Sequence, residues 1–272
     1  PVVAIVCARF CKGTAASLRS QDAWREEASI KLPLGPEEFE EQSGWCVYPG
    51  LFAGGGLDIM TSALLKTLPE LPSPDCKILD FACGSGSIAA ALLKRSPHAQ
   101  LTLMDADALA VEACRENVPG AKRIITSDCW HSIKSRNLRF DWIVSNPPVH
   151  RGRVDDFQVL MELAHGAGQR LRPGGVLWIV AQEHVPVGGL LGGFADVTCP
   201  FDDGRFVVWR ATEWNAESTS GDAFCQPTPA VDPCTSADVP DANVGNPTTR
   251  KKRRRMLEDD DKTLDKASKR LK

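Results

Sequence analysis

Residues 77–91 read KILDFACGSGSIAAA. Ile78, Leu79 and Phe81 form a short apolar run that stops abruptly at small residues, which predicts a buried strand over Lys77–Phe81. Gly84 and Gly86 can take positive φ and leave backbone N–H groups uncovered, and the alanine- and leucine-rich residues 87–94 predict a helix directly behind them. A strand, a glycine turn and a helix N-terminus in this order form a cradle for a nucleotide-like ligand. The spacing Gly84-Ser-Gly86-Ser-Ile-Ala89 also satisfies the dinucleotide fingerprint, so a nicotinamide or flavin ligand stays open on the glycines alone. Asp80 tilts the reading. A carboxylate at the strand end repels a pyrophosphate but can hold the ammonium group of an amino acid, which points to S-adenosylmethionine; the plainer alternative is that Asp80 caps the turn.

Outward from the cradle, helices and strands alternate. Strands are expected at Leu101 to Met104, at Arg123–Thr126, and over residues 140–144, 176–180 and 206–210, with helices over 107–117 and 157–172. Alternation of this kind predicts an α/β fold, a doubly wound and mostly parallel sheet with helices on both faces. Asp105 ends the second strand nineteen residues past Gly86, where an acid grips a ribose diol in such folds. Asp128 follows the third strand and can accept from an adenine amino group, or Ser127 and Asp128 can cap the next turn. After the fourth strand comes Ser145-Asn146-Pro147-Pro148-Val149-His150, where consecutive prolines hold the Asn146 carboxamide and the Pro147 carbonyl in a rigid extended loop. Upstream, a glycine-rich loop over residues 49–56 leads to Asp58, the expected start of a helix reaching Leu68. Phe52 in that loop is either a lid over a ligand or a core anchor.

The chain has 272 residues, 43% of them hydrophobic, and a net charge of −3, so it is no global polyanion binder and any RNA contact must come from a local patch. Ten cysteines without a C-x-x-C pair read as reduced intracellular thiols, and no metal site is expected. No apolar run reaches membrane-spanning length, and no membrane partner is expected. Residues 1–44 read as the remnant of a preceding domain or a linker, with helix-compatible pieces at 22–28 and 37–41. Residues 45–214 read as the catalytic domain, and residues 215–272 as a disordered tail. The tail carries RKKRRR from Arg250 to Arg255, a nuclear address, a nucleic-acid contact or plain solvated charge, and the expected location is cytoplasmic or nuclear. Nothing in the sequence sets the oligomeric state.

PGLFAGGGLD, ILDFACGSGSIA, LTLMDADALAVEACREN, FDWIVSNPPVHRG and GRFVVWRA occur in one order. Together they resemble class I methyltransferases of the bacterial ribosomal RNA small subunit methyltransferase C type, over roughly residues 45–212. The resemblance implies a seven-stranded Rossmann-like sheet, S-adenosylmethionine as cofactor, ribosomal RNA as partner and transfer of a methyl group to a guanine N2. It implies cofactor contacts from Phe52, Asp80, Ala82, Gly84, Gly86, Asp105, Ala106, Asp128 and Asn146. Asn146, Pro147 and Pro148 would present the catalytic edge, and Val149 and His150 would face the substrate. Related sites often carry an aromatic residue after the prolines to stack on the target ring; here Val149 stands there, so the stack must come from elsewhere, with Trp130 and Phe157 as candidates. The competing functions are a protein glutamine N-methyltransferase, whose motif usually ends in tyrosine, and a non-enzymatic methyltransferase-like binding module.

Overall fold

The computed structural model describes residues 21–133, 137–151 and 154–215. The chain divides into two units, Pro1–Ala223 and Phe224–Lys272, and the second, with the basic run, lies outside the described residues. In the first unit a hairpin of β1 (Glu26–Pro33) and β2 (Phe39–Val47) leads through a 3-10 turn (Phe52–Gly55) to α1 (Ile59–Thr67). Then follow β3 (Lys77–Phe81), α2 (Ser87–Arg95), β4 (Gln100–Asp105), α3 (Ala108–Asn117), β5 (Arg123–Thr126) and β6 (Phe140–Ser145). A miniature pair, β7 (His150–Arg151) and β8 (Val154–Asp155), precedes α4 (Gln158–Gly168). The chain continues through β9 (Leu171–Gln182), the short α5 (Val187–Leu190), β10 (Phe194–Asp202) and β11 (Phe206–Trp214).

The central sheet has the order β10-β11-β9-β6-β3-β4-β5 among the described residues. The pairs from β9 to β5 are parallel, and β11 runs antiparallel to both β9 and β10. This is the seven-stranded, mostly parallel sheet expected, with β3 at the point where the strand order reverses and a ligand crevice opens at the carboxyl ends. Side chains alternate between two cores, as strand geometry requires. Ile78, Leu101, Leu103, Trp142 and Val144 face α1, α2 and the hairpin, whereas Leu79, Phe81, Met104, Phe140 and Ile143 face α4. Asp80 shares its parity with Ile78, so its carboxylate points into the first of these cores. At the opposite end of the sheet Asp141 accepts from Lys77 N at 2.8 Å and from Arg172 Nη1 at 2.9 and 3.1 Å, which ties β6 to its two neighbours.

Several expectations need correction. The pieces at 22–28 and 37–41 form no α-helix: the first begins in a single 3-10 turn (Gln21–Trp24), and residues 26–28 and 39–41 lie in β1 and β2, an amphipathic hairpin whose polar outer face hides the strand period. Its inner residues Ile30, Leu32 and Trp45 belong to the same core as the sheet, and β2 runs through the boundary expected at residue 45. The helix expected over 157–172 stops at Gly168, because Leu171 onward is drawn into β9 beside Phe140. β10 escaped notice since it is an edge strand, mostly exposed and containing Pro200, which only an edge accommodates. No helix among the described residues is long and apolar enough to cross a membrane.

Candidate active site

The turn after β3 is set by packing. Cys83 N donates to Met104 O at 3.1 Å and Gly86 N to Cys83 O at 2.9 Å, with Ala82 held at φ 58°. Gly86, at φ 91°, abuts α3: a Cβ there would lie 2.7 Å from Val118 Cγ2 and 3.1 Å from Cys114 Sγ. Gly84, at φ 54°, has nothing within 4 Å of its missing Cβ, so that face of the turn is open to a ligand. Asp80 is 0% exposed. Its Oδ2 accepts from Ala89 N at 3.2 Å, while Oδ1 is buried with no partner among the described residues. Burial, and secondarily Asp105, push the Asp80 carboxyl well above the ordinary carboxylate range. The capping role and a spare buried acceptor therefore coexist in one side chain.

Asp105 stands at the end of β4, and its Oδ2 accepts from Gly84 N at 2.8 Å while Oδ1 accepts from Asp107 N at 2.9 Å. Burial raises its pKa, and these backbone donors partly offset the rise. Ala82, Asp105, Ala106, Asp128, Cys129 and Pro148 line a cleft of about 70 Å³ beyond the glycine turn. Capping of the turn after β5 falls to Ser127, whose Oγ accepts from Ser132 N at 3.0 Å, so Asp128 keeps its exposed carboxylate at the cleft. A larger groove of about 510 Å³ lies at the amino ends of the strands, lined by Glu38, Glu70, Lys94 and Arg95, and contains none of the expected site residues.

Across the crevice, Ser145 Oγ donates to Phe81 O at 2.7 Å and joins the ends of β6 and β3. Asn146 follows at once. Its Nδ2 donates to Asp58 Oδ2 at 2.9 Å and to Thr61 Oγ1 at 3.0 Å, and Asp58 Oδ2 also accepts from Met60 N at 2.9 Å as the N-cap of α1. This contact eluded the sequence, where Asp58 signals only a helix start; its signal was the Gly-Leu-Asp ahead of an apolar helix. Pro147 and Pro148 carry no N–H, so the loop offers acceptors and no competing backbone donors beside Asn146 Oδ1. Such an edge suits a ligand that donates N–H bonds.

Other expectations fare differently. Val149 is 5% exposed and packs with the α4-side core. Trp130 is held by its neighbours: Nε1 donates to Glu162 O at 2.7 Å, Phe81 packs on its ring at 4.9 Å and Arg170 covers it at 4.9 Å. Phe157 packs partly buried against the same core. Phe52 is 61% exposed, so it is not a core anchor; the turn that carries it is pinned by Trp45 Nε1 donating to Gly55 O at 2.8 Å. The backbone of His150 forms β7, but its side chain lies outside the described structure.

Residues 44–210 match the family described as the Methyltransferase small domain. The chain belongs to the methyltransferase small domain family. The Ribosomal RNA small subunit methyltransferase C of Salmonella choleraesuis is 36% identical over 189 residues, covering 64% of this chain and 53% of that protein. The protein of that name from Citrobacter koseri is 39% identical over 168 residues, covering 60% and 47%. The chain thus spans about half the length of the curated relatives it matches. Among solved structures, a T. thermophilus 16S rRNA N2 G1207 methyltransferase in complex with AdoMet and guanosine aligns with TM-score 0.60 at 24% identity, over 70% of this chain and 51% of that one. That likeness shows the shared methyltransferase fold. The residues of this family member fit a nucleoside with an amino-acid arm: a spare buried carboxylate oxygen on Asp80, an uncovered turn at Gly84 and a cleft between Asp105 and Asp128.

Proposed function

We propose that the chain binds S-adenosylmethionine and methylates an exocyclic guanine amino group in ribosomal RNA. The observation that carries the reading is the acceptor-only edge at Asn146 and Pro147, joined through Ser145 to the end of the glycine-turn strand. Asp80 Oδ1 takes the ammonium end of the cofactor, Gly84 lets the backbone approach it while Gly86 lets the turn close against α3, Asp105 accepts from the ribose hydroxyls, and Ala82, Ala106 and Asp128 border the adenine. Phe52 closes over the nucleoside from its exposed turn. When bound, this cofactor supplies an electrophilic methyl group on a sulfonium leaving group. The chain's own task is orientation. An aromatic amine is a poor nucleophile because its lone pair is delocalised into the ring. Asn146 Oδ1 and the Pro147 carbonyl accept its two N–H bonds and favour a pyramidal nitrogen, with no strong base needed. The relatives named for ribosomal RNA methylation support the choice of substrate.

Incubation of purified chain with methyl-labelled S-adenosylmethionine and ribosomal RNA or total protein, followed by hydrolysis, tests the reading. Label in N2-methylguanosine is the expected result, and label only in protein glutamine would replace it. Cofactor binding without transfer to either would leave a binding module. Asn146→Ala is expected to lower turnover by about two to three powers of ten, with little change in cofactor affinity, because the lost acceptor faces the target amine.

A further inference from the structure

We propose that Asp58 is a positioning residue that locks the Asn146 carboxamide in its working orientation; the proposal rests on the function proposed above. A carboxylate only accepts hydrogen bonds, so the group facing Asp58 Oδ2 at 2.9 Å must be Nδ2 of Asn146 and not its oxygen. Thr61 Oγ1, at 3.0 Å, takes the second amide proton. Both donors of the carboxamide are thereby spent on α1, and Oδ1 is left on the side away from the helix, beside the donor-free Pro147-Pro148 loop. With neither contact, the carboxamide could flip and present two donors to an amine that is itself a donor.

The lock is rigid because Asp58 is not a free loop residue. The same Oδ2 accepts from Met60 N at 2.9 Å and Thr61 N at 3.2 Å, so the first turn of α1 holds it. α1 is anchored in turn by Leu64 and Leu65, both fully buried, and Thr61 is itself buried. A charge-assisted bond at Nδ2 also draws density toward Oδ1, which makes that oxygen a stronger acceptor. Asp58 touches neither cofactor nor substrate in this account; it acts through Asn146.

Capping and locking can be separated. Serine caps a helix about as well as aspartate but is too short to cap and still hold Asn146, so Asp58→Ser keeps α1 and releases the carboxamide. The expected result is kcat lowered about tenfold or more, with cofactor Kd and RNA KM within about twofold of wild type. Asp58→Asn, which retains an acceptor oxygen, should recover part of the rate. The side-chain amide signals of Asn146 in nitrogen-proton spectra should shift and exchange faster with water in Asp58→Ser. Thr61→Val, which keeps shape and removes the other acceptor, should move the same signals if Asp58→Ser proves unstable. Wild-type kcat in Asp58→Ser, or a fall in kcat with unaltered Asn146 signals, overturns the proposal. Absence of methyl transfer by wild type would instead sink the proposed function, and the Asn146 signals alone would then decide the lock.

Discussion

Asp80 spends one oxygen on Ala89 N and keeps the other buried without a partner, an arrangement that disfavours its charge until a cation arrives. Since burial raises its folded pKa, the folded protein binds a proton more tightly than the unfolded chain. Stability is therefore lost as pH rises from the ordinary carboxylate range through the raised value. Two outcomes follow. Asp80→Asn should leave the ligand-free Tm unchanged or raised by a few degrees at neutral pH, since about 1 kcal/mol moves Tm by roughly 2–4 °C at this size. The same variant should weaken S-adenosylmethionine binding about tenfold or more, and abolish a proton release that wild type shows on binding below the raised pKa. Calorimetry in buffers of differing ionisation enthalpy measures that release. Wild-type affinity should increase with pH over the same window, because binding a cation draws the proton off.

The glycine turn, α3 and the hairpin are joined by one buried amide. Asn117 Nδ2 donates to Cys46 O at 2.9 Å and Ser85 O at 3.0 Å, and its Oδ1 accepts from Cys46 N at 2.7 Å. Asn117→Ala should lower unfolding free energy by about 2–4 kcal/mol in denaturant titrations, since it leaves buried backbone groups unpaired. The turn at residues 52–55 behaves differently. Phe52 is mostly exposed, so Phe52→Ala should hardly change Tm, within about 0.5 kcal/mol of stability. If the ring closes over the nucleoside, cofactor Kd should rise about tenfold, the scale of an aromatic contact of about 1.4 kcal/mol. An unchanged Kd would remove Phe52 from the cofactor site.

The sheet divides its side chains between two cores, and the hairpin closes the one into which Asp80 points. Ile30 and Leu32 lie in that core, each worth about 1.5–3 kcal/mol of burial. A chain beginning at residue 45 should therefore melt on the order of 10 °C lower than one beginning at residue 21, or fail to fold, and scanning calorimetry compares the two. Equal melting temperatures would show that the hairpin is an appendage.

The order of strands and helices from residue 77 to residue 145 was legible because β3, β4 and β6 are largely buried on both faces and read as short, mostly apolar runs bounded by turn residues. The glycine turn, Asp105 at the tip of β4 and the prolines after Asn146 were legible for a related reason: each is dictated by local backbone chemistry. The hairpin and β10 were not, since an amphipathic or edge strand shows only half a period and its partner lies elsewhere in the chain. Side-chain direction was equally hidden. Val149 turns inward, Phe52 turns outward and Asp58 reaches Asn146 across 88 residues because of how α1, α4 and the sheet pack together, and packing is a relation between distant segments that no local pattern encodes.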